Sequence, residues 1–129
     1  MLANIKTSKQ NKELVTKLTQ KLNLGAENVV ARLAFSYSLK RSKMLELKNI
    51  QDSEGKEYSV RVLFGNYESI YVSLIAINYN LHSSDKNISR YIKMHIDDGL
   101  ILINQEVAKN DQITGNDFLI NEIEKGFVN

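Results

Sequence analysis

Residues Ile5–Arg41 read IKTSKQNKELVTKLTQKLNLGAENVVARLAFSYSLKR. The order is a short alternating segment, a basic amphipathic helix, a tight turn and a second helix that is apolar almost all the way round. In the first segment Ile5 and Thr7 point one way, Lys6 and Ser8 the other, as in a strand. Ser8 is suited to cap a helix running from Lys9 to Leu22. Leu14, Val15, Leu18 and Leu22 then fall within an arc of about 100°. Glu13, Lys17 and Lys21 make a ridge on one flank of that arc, and Lys9 and Lys12 lie farther round. The leucines pack while four lysines stay in water.

Asn23–Ala26 separates the two helices, with Gly25 as a residue that takes positive φ after the first. The second helix is expected over Ala26–Leu39. Val29, Val30, Leu33, Ala34 and Tyr37 form one stripe, and Phe35 and Leu39 lie opposite. A helix apolar on both sides is buried on both sides, so the second cover comes either from another subunit or from the C-terminal half of the same chain. The first possibility predicts an oligomer. N–H groups at the start of this helix offer a phosphate site, which Glu27 opposes. Lys40, Arg41 and Lys43 at its end suit the helix dipole and phosphate contacts equally well. The strand-helix-helix order is similar to the ribbon-helix-helix DNA binders, whose strands pair across a dimer in the major groove.

The charge is uneven. Residues 1–48 hold ten Lys/Arg and three acids, a balance of +7; residues 49–129 hold seven and twelve, a balance of −5. This points to an anionic partner for the first part. Aromatic residues do not alternate with the lysines, which argues against a stacking platform for single strands and for phosphate contacts to duplex. A chain of 129 residues suits a single domain. Cysteine is absent, which excludes disulfides and thiolate chemistry and suits a cytoplasmic protein. No leader-like apolar segment opens the chain, and no run approaches the roughly 18 apolar residues of a membrane span, so no membrane partner is expected.

Beyond the polar turn Gln51–Lys56, the alternation over Glu57–Phe64 predicts a strand. A helix follows from Tyr67 to Tyr79, with Ile70, Tyr71, Leu74, Ile75 and Asn78 toward the core. Another runs from Lys86 to Asp98, with Ile88, Tyr91, Ile92, His95 and Ile96 inward and Gly99 as its stop. Leu100–Ile103 is a short extended run, Gln105–Gly115 is polar and mobile, and Asp117 caps a last helix to Lys125. The expected fold is therefore mainly α: a ribbon-helix-helix-like unit, then a short strand and two to three further helices. It forms one domain over 1–129, with 104–129 as a partly mobile extension.

Chemistry is hard to find. His95 with Asp97 and Asp98 suggests a metal, but residues two apart do not share a helix face. Phosphate-binding loops, dinucleotide fingerprints and nucleophile elbows are missing. No catalytic residue, metal ligand or cofactor is assigned.

Ile5-Lys6-x-Ser8-Lys9, Leu14, Leu18, Leu24-Gly25, Asn28-Val29-x-Ala31-Arg32-x-Ala34 and Ser38-Leu39 together resemble the DNA sulfur modification protein DndE family. The likeness continues in Gly65-x-Tyr67-x-x-x-Tyr71-x-x-Leu74-Ile75 and in Ile92-x-x-His95-Ile96-x-x-Gly99-Leu100. It covers most of residues 5–103. The chain departs from the pattern at Gln51–Lys56, in Gln105–Asn129 and at Asp98, where the family pattern has a basic residue.

The resemblance implies a non-catalytic subunit of the phosphorothioation machinery, which replaces a non-bridging phosphate oxygen of DNA with sulfur. It implies a homotetramer that binds double-stranded DNA, preferably nicked, and works beside other subunits of that machinery. The contact candidates are Lys6, Lys9, Lys12, Lys17, Lys21, Lys40, Arg41 and Lys43. Arg32, inside the second helix, reads as a packing or interface residue. A ribbon-helix-helix repressor, a metal-dependent nickase and a protein-only adaptor are the alternatives.

Overall fold

The computed structural model describes residues 4–41 and 44–109. The expected helix ending at Lys125, and Lys43, lie outside them. The order is β1 (Ile5–Lys6), α1 (Lys9–Leu22), α2 (Glu27–Lys40), a 3-10 turn (Leu47–Asn49), β2 (Glu57–Tyr58), α3 (Val60–Phe64), a second 3-10 turn (Gly65–Tyr67), α4 (Glu68–Tyr79) and α5 (Ile88–Ala108). The fold is mainly helical, with a two-stranded antiparallel sheet that pairs Ile5 with Tyr58 and Lys6 with Glu57. The strand-helix-helix order is as the sequence predicts. The partner of β1 is a strand of its own chain.

Ser8 caps α1, its hydroxyl accepting from the Asn11 N–H at 3.3 Å. Val15, Leu18 and Leu22 are buried. The left-handed residue that ends α1 is Asn23 (φ 53°), and Gly25 (φ 104°) lies farther into the turn. Asn tolerates that region because its short side chain bonds locally.

α2 is buried on both sides, as its composition requires. The second cover is supplied within the chain: α5 runs along it, and α1 and α3 also meet it. Phe35 stands edge-on to Phe64 (5.8 Å) and Tyr71 (5.5 Å), which stack on each other at 4.2 Å. The apolar second helix is therefore no longer an argument for a partner subunit.

Three sequence expectations are corrected. The strand over Glu57–Phe64 stops after two residues. Ser59 then caps α3, accepting from the Val62 N–H at 3.1 Å. A capped turn buries Val60, Leu63 and Phe64 together, which a strand would split between two faces. Burial here overrides the β-propensity of Val60 and Val62.

The core face of α4 is also different. Ile75 and Ala76 are buried, and Tyr71 and Val72 half-buried, while Ile70 (54%), Leu74 (44%) and Ile77 (80%) face solvent. Val60–Tyr79 is long and apolar enough to cross a membrane by length and composition, against the sequence expectation. Gly65, at φ 57°, breaks it between α3 and α4, and Leu63, Phe64 and Ile75 belong to the core.

The third correction is the largest. Gly99 does not stop a helix; α5 runs unbroken through it to Ala108. Residues 100–103, expected as extended, are its fourth turn. A Cβ at Gly99 would lie 1.8 Å from the Ala34 carbonyl oxygen. The glycine is there for the close crossing of α2 and α5.

Candidate nucleic-acid interface

The expected contact residues fall into three groups. Lys6 on β1 and Lys9, Lys12 and Lys17 on α1 are exposed. No ion pair engages any of these four among the described residues. Lys21 is half-buried, Lys40 is exposed, and both interact with other groups of the chain. Arg41 lies over the Tyr37 ring, 3.9 Å from its centroid, and donates to the Tyr37 hydroxyl. It is a packed cation more than a free one. Arg32 donates to the Leu63 carbonyl at 2.8 Å and ties α2 to α3, a packing role as the sequence suggests.

The solvent side of α1, with Lys6 just before it, therefore carries basic groups that no ion pair engages among the described residues. A shallow groove of about 440 Å³ runs beside it, lined by Gln10, Glu13, Leu14, Lys17 and Asn104.

Helix starts are poor anion sites at α1 and α2. The Ser8 N–H donates to Asp97 Oδ1 (3.1 Å) and the Lys9 N–H to Asp52 Oδ1 (2.8 Å), so carboxylates already occupy the start of α1. At α2, Glu27 stands in the first turn. The Thr16 hydroxyl bonds it at 2.6 Å and is the main reason its carboxyl titrates low; burial opposes this and Lys56, at 3.2 Å, reinforces it. The phosphate site expected there already faces an internal carboxylate.

His95, Asp97 and Asp98 do not converge. Asp97 turns to Lys93, Ser8 and Asn11. His95 and Asp98 share a different, buried network. The Ser38 hydroxyl donates to Asp98 Oδ2 at 2.6 Å, so its oxygen is left to accept from His95 Nδ1–H at 2.8 Å. His95 Nε2 then accepts from the Tyr79 hydroxyl at 2.7 Å, and Tyr79 oxygen accepts from the Leu45 N–H at 2.9 Å. Every donor has one acceptor only when the imidazole is neutral. Ser38 and His95 are fully buried, so the pair holds α2, α4 and α5 together and offers no nucleophile to a substrate.

Burial pushes the His95 imidazole down to about 4, with the charge of Asp98 opposing the shift. The unfolded chain, at an ordinary histidine value, therefore takes up its proton first as pH falls. Stability should be level above pH ~6.5 and drop through the window down to about 4, by on the order of 3 kcal/mol. Urea unfolding at pH 7 and pH 4.5 measures this. His95→Gln should flatten that limb; an unchanged acid limb would show that another group carries it.

One basic cluster is not visible in the sequence. Lys6, Arg90 and Lys93 line a common cavity, although they lie on β1 and on the start of α5. The only hint was spacing: Arg90 and Lys93 stand three apart on one helix, but nothing in the sequence brings Lys6 to them.

A family model for the DNA sulphur modification protein DndE matches residues 4–111. None of the curated proteins matches the chain. Among solved structures, the chain is similar to DndE from Escherichia coli B7A, involved in DNA phosphorothioation modification. That likeness has 19% identity and a TM-score of 0.65, and it covers 80% of this chain and 99% of that one. A DndE mutant with lysines in place of two glycines, also involved in DNA phosphorothioation, gives 20%, 0.67 and the same coverage. At these identities the structures speak to the fold.

Proposed function

The chain belongs to the DndE family, and from that premise we propose that it is the non-catalytic DNA-binding subunit of a phosphorothioation system. It holds duplex DNA, preferably nicked, through the lysines of β1 and α1. The observation that carries this is the set of four exposed lysines, Lys6, Lys9, Lys12 and Lys17, with no ion pair among the described residues, on the +7 part of the chain. Contacts of this kind grip phosphates and give affinity with little base reading. A ribbon-helix-helix repressor needs its strand free to pair across a dimer, and β1 here is paired with β2.

The subunit acts in the cytoplasm, beside the other proteins of the system. It works as a homo-oligomer, a tetramer in the family's manner. Ile70, Leu74 and Ile77 form an exposed apolar stripe at i, i+4, i+7 on α4, and a face of this kind favours association.

The test is binding to intact and singly nicked duplexes of unrelated sequence across a salt series, with and without magnesium. Tighter binding to the nicked form, a steep loss with salt and no cleavage are expected. Lys9→Glu/Lys12→Glu/Lys17→Glu should weaken binding at least roughly a hundredfold and flatten the salt slope by about 0.9 per lost contact. No binding at low salt would leave a protein-only adaptor. Magnesium-dependent cleavage of intact duplex would make the chain an enzyme.

A further inference from the structure

Between β1, the segment before β2 and the first turns of α5 lies a cavity of about 280 Å³, small for a ligand pocket. Its polar lining comes chiefly from Lys6, Gln51, Ser53, Ser89, Arg90 and Lys93. Three cations and two hydroxyls meet there, and no carboxylate of the described residues lines it.

Lys93 is only 4% exposed. An ammonium has three donors, and among the described residues one of them is spent, on Asp97 Oδ2 at 2.6 Å. A buried cation thus stands at the cavity wall with donors unspent. Arg90 has five donors and one long contact, to Asn87 Oδ1 at 3.4 Å. The Lys6 ammonium has no bonded partner among the described residues.

The helix makes this arrangement costly without a ligand. α5 is 21 residues long, its cap residue Asn87 makes no side-chain capping bond, and its first turn holds no acid. Arg90 and Lys93 sit at the end where the dipole disfavours cations. The nearby acids stand around the cavity and not in its lining: the Asp85 carboxylate accepts from the Asn87 N–H at 2.8 Å, just before α5. Asp97 balances Lys93, and Glu57, opposite Lys6 in the sheet, is contacted by the Asn4 amide at 3.4 Å. Asp52 is exposed, holds the Lys9 and Glu54 N–H groups and is close enough to Lys93 for the two charges to interact. None of these carboxylates is among the described residues that line the cavity, so the donors of Lys6 and Arg90 there stay unspent.

We propose that this cavity receives a phosphate monoester end-on. A monoester carries close to two negative charges at neutral pH and three oxygens that accept hydrogen bonds, which matches several donors around a small space. An internal phosphodiester has a sugar on each side and cannot enter end-on. The group has two possible sources, the terminal phosphate of a nicked or ended DNA strand and a free small phosphate compound. The DNA source rests on the function proposed above; the small-compound source does not.

The experiment has two arms. In the first, inorganic phosphate is titrated into the labelled full-length protein against chloride of equal ionic strength, and amide NMR shifts are followed. Saturable shifts of Ser53, Ser89 and Arg90 with phosphate alone are expected. Arg90→Ala and Lys6→Gln, both at exposed residues, should weaken them roughly tenfold, and Arg61→Ala, an exposed cation on α3, should leave them. In the second arm, nicked duplexes with a 5′-phosphate or a 5′-hydroxyl at the nick are compared. A preference for the phosphate that disappears in Arg90→Ala assigns the cavity to the DNA end. Phosphate shifts without that preference assign it to a free compound. Absence of both overturns the proposal. If duplex binding persists in that case, the DNA-binding reading survives; if it does not, that reading fails separately.

Discussion

Gly99→Ala should lower the melting temperature by more than about 10 °C, a loss of roughly 3 kcal/mol or more. Two effects oppose each other. Alanine inside a helix is favoured over glycine by up to about 1 kcal/mol. Against this, the new Cβ would stand 1.8 Å from the Ala34 carbonyl oxygen and 2.4 Å from its carbon. Those are backbone atoms in the middle of α2, so no side chain can swing aside. The helices must separate where Ala31, Ala34, Phe35, Ile96, Leu100 and Ile103 are all fully buried, and a packed core does not stretch smoothly. The clash wins. Gln105→Ala, at an exposed position of the same helix, is the control and should leave stability within about 0.5 kcal/mol. An unchanged or raised melting temperature for Gly99→Ala would mean that α2 and α5 do not cross this closely.

The same glycine shows where the sequence stops being legible. A glycine after a periodic run, followed by a short apolar segment, is the ordinary mark of a helix end. The marks of a close helix crossing are identical, and the second helix that decides between them lies some sixty residues away. Val60–Phe64 failed for a related reason. Alternation of period two and burial at i, i+3, i+4 both fit five residues, and Ser59 as a cap tips the balance only once Phe64 has Phe35 and Tyr71 to meet. Local signals were sufficient where they were redundant. Ser8, the leucine arc and the lysine ridge all agree on α1, which runs from Lys9 to Leu22. The basic face of α1 was legible because it is local. The Lys6, Arg90 and Lys93 cluster was not, because it is made by the pairing of β1 with β2 and the packing of α5 against β1. The solvent-facing stripe on α4 reads as core in the sequence because an apolar face looks the same whatever covers it.

Asp97→Ala should cost about 3–5 kcal/mol, the second large loss. Asp97 is 2% exposed, and its carboxylate is the point where the start of α1 is fixed to α5. Oδ2 takes the Lys93 ammonium at 2.6 Å, and Oδ1 takes the Ser8 N–H at 3.1 Å and the Asn11 amide at 2.7 Å. The carboxylate also meets the positive end of the α1 dipole. Removing it strands a buried ammonium and two buried donors at once. Lys93→Met should cost less, because the carboxylate then keeps both donors and the helix end while the methionine fills the space. The double variant should lose less than the sum of the two, by 1 kcal/mol or more on the order-of-magnitude scale of coupled pairs. Denaturant unfolding of the four proteins closes the cycle. Strict additivity would show that the ion pair contributes nothing and that Asp97 acts through Ser8 and Asn11 alone. A non-additive result would instead tie the lysine at the cavity wall to the anchoring of the basic helix, so that an anion drawing on the Lys93 donors would act on the fixed end of α1 as well as on its own site.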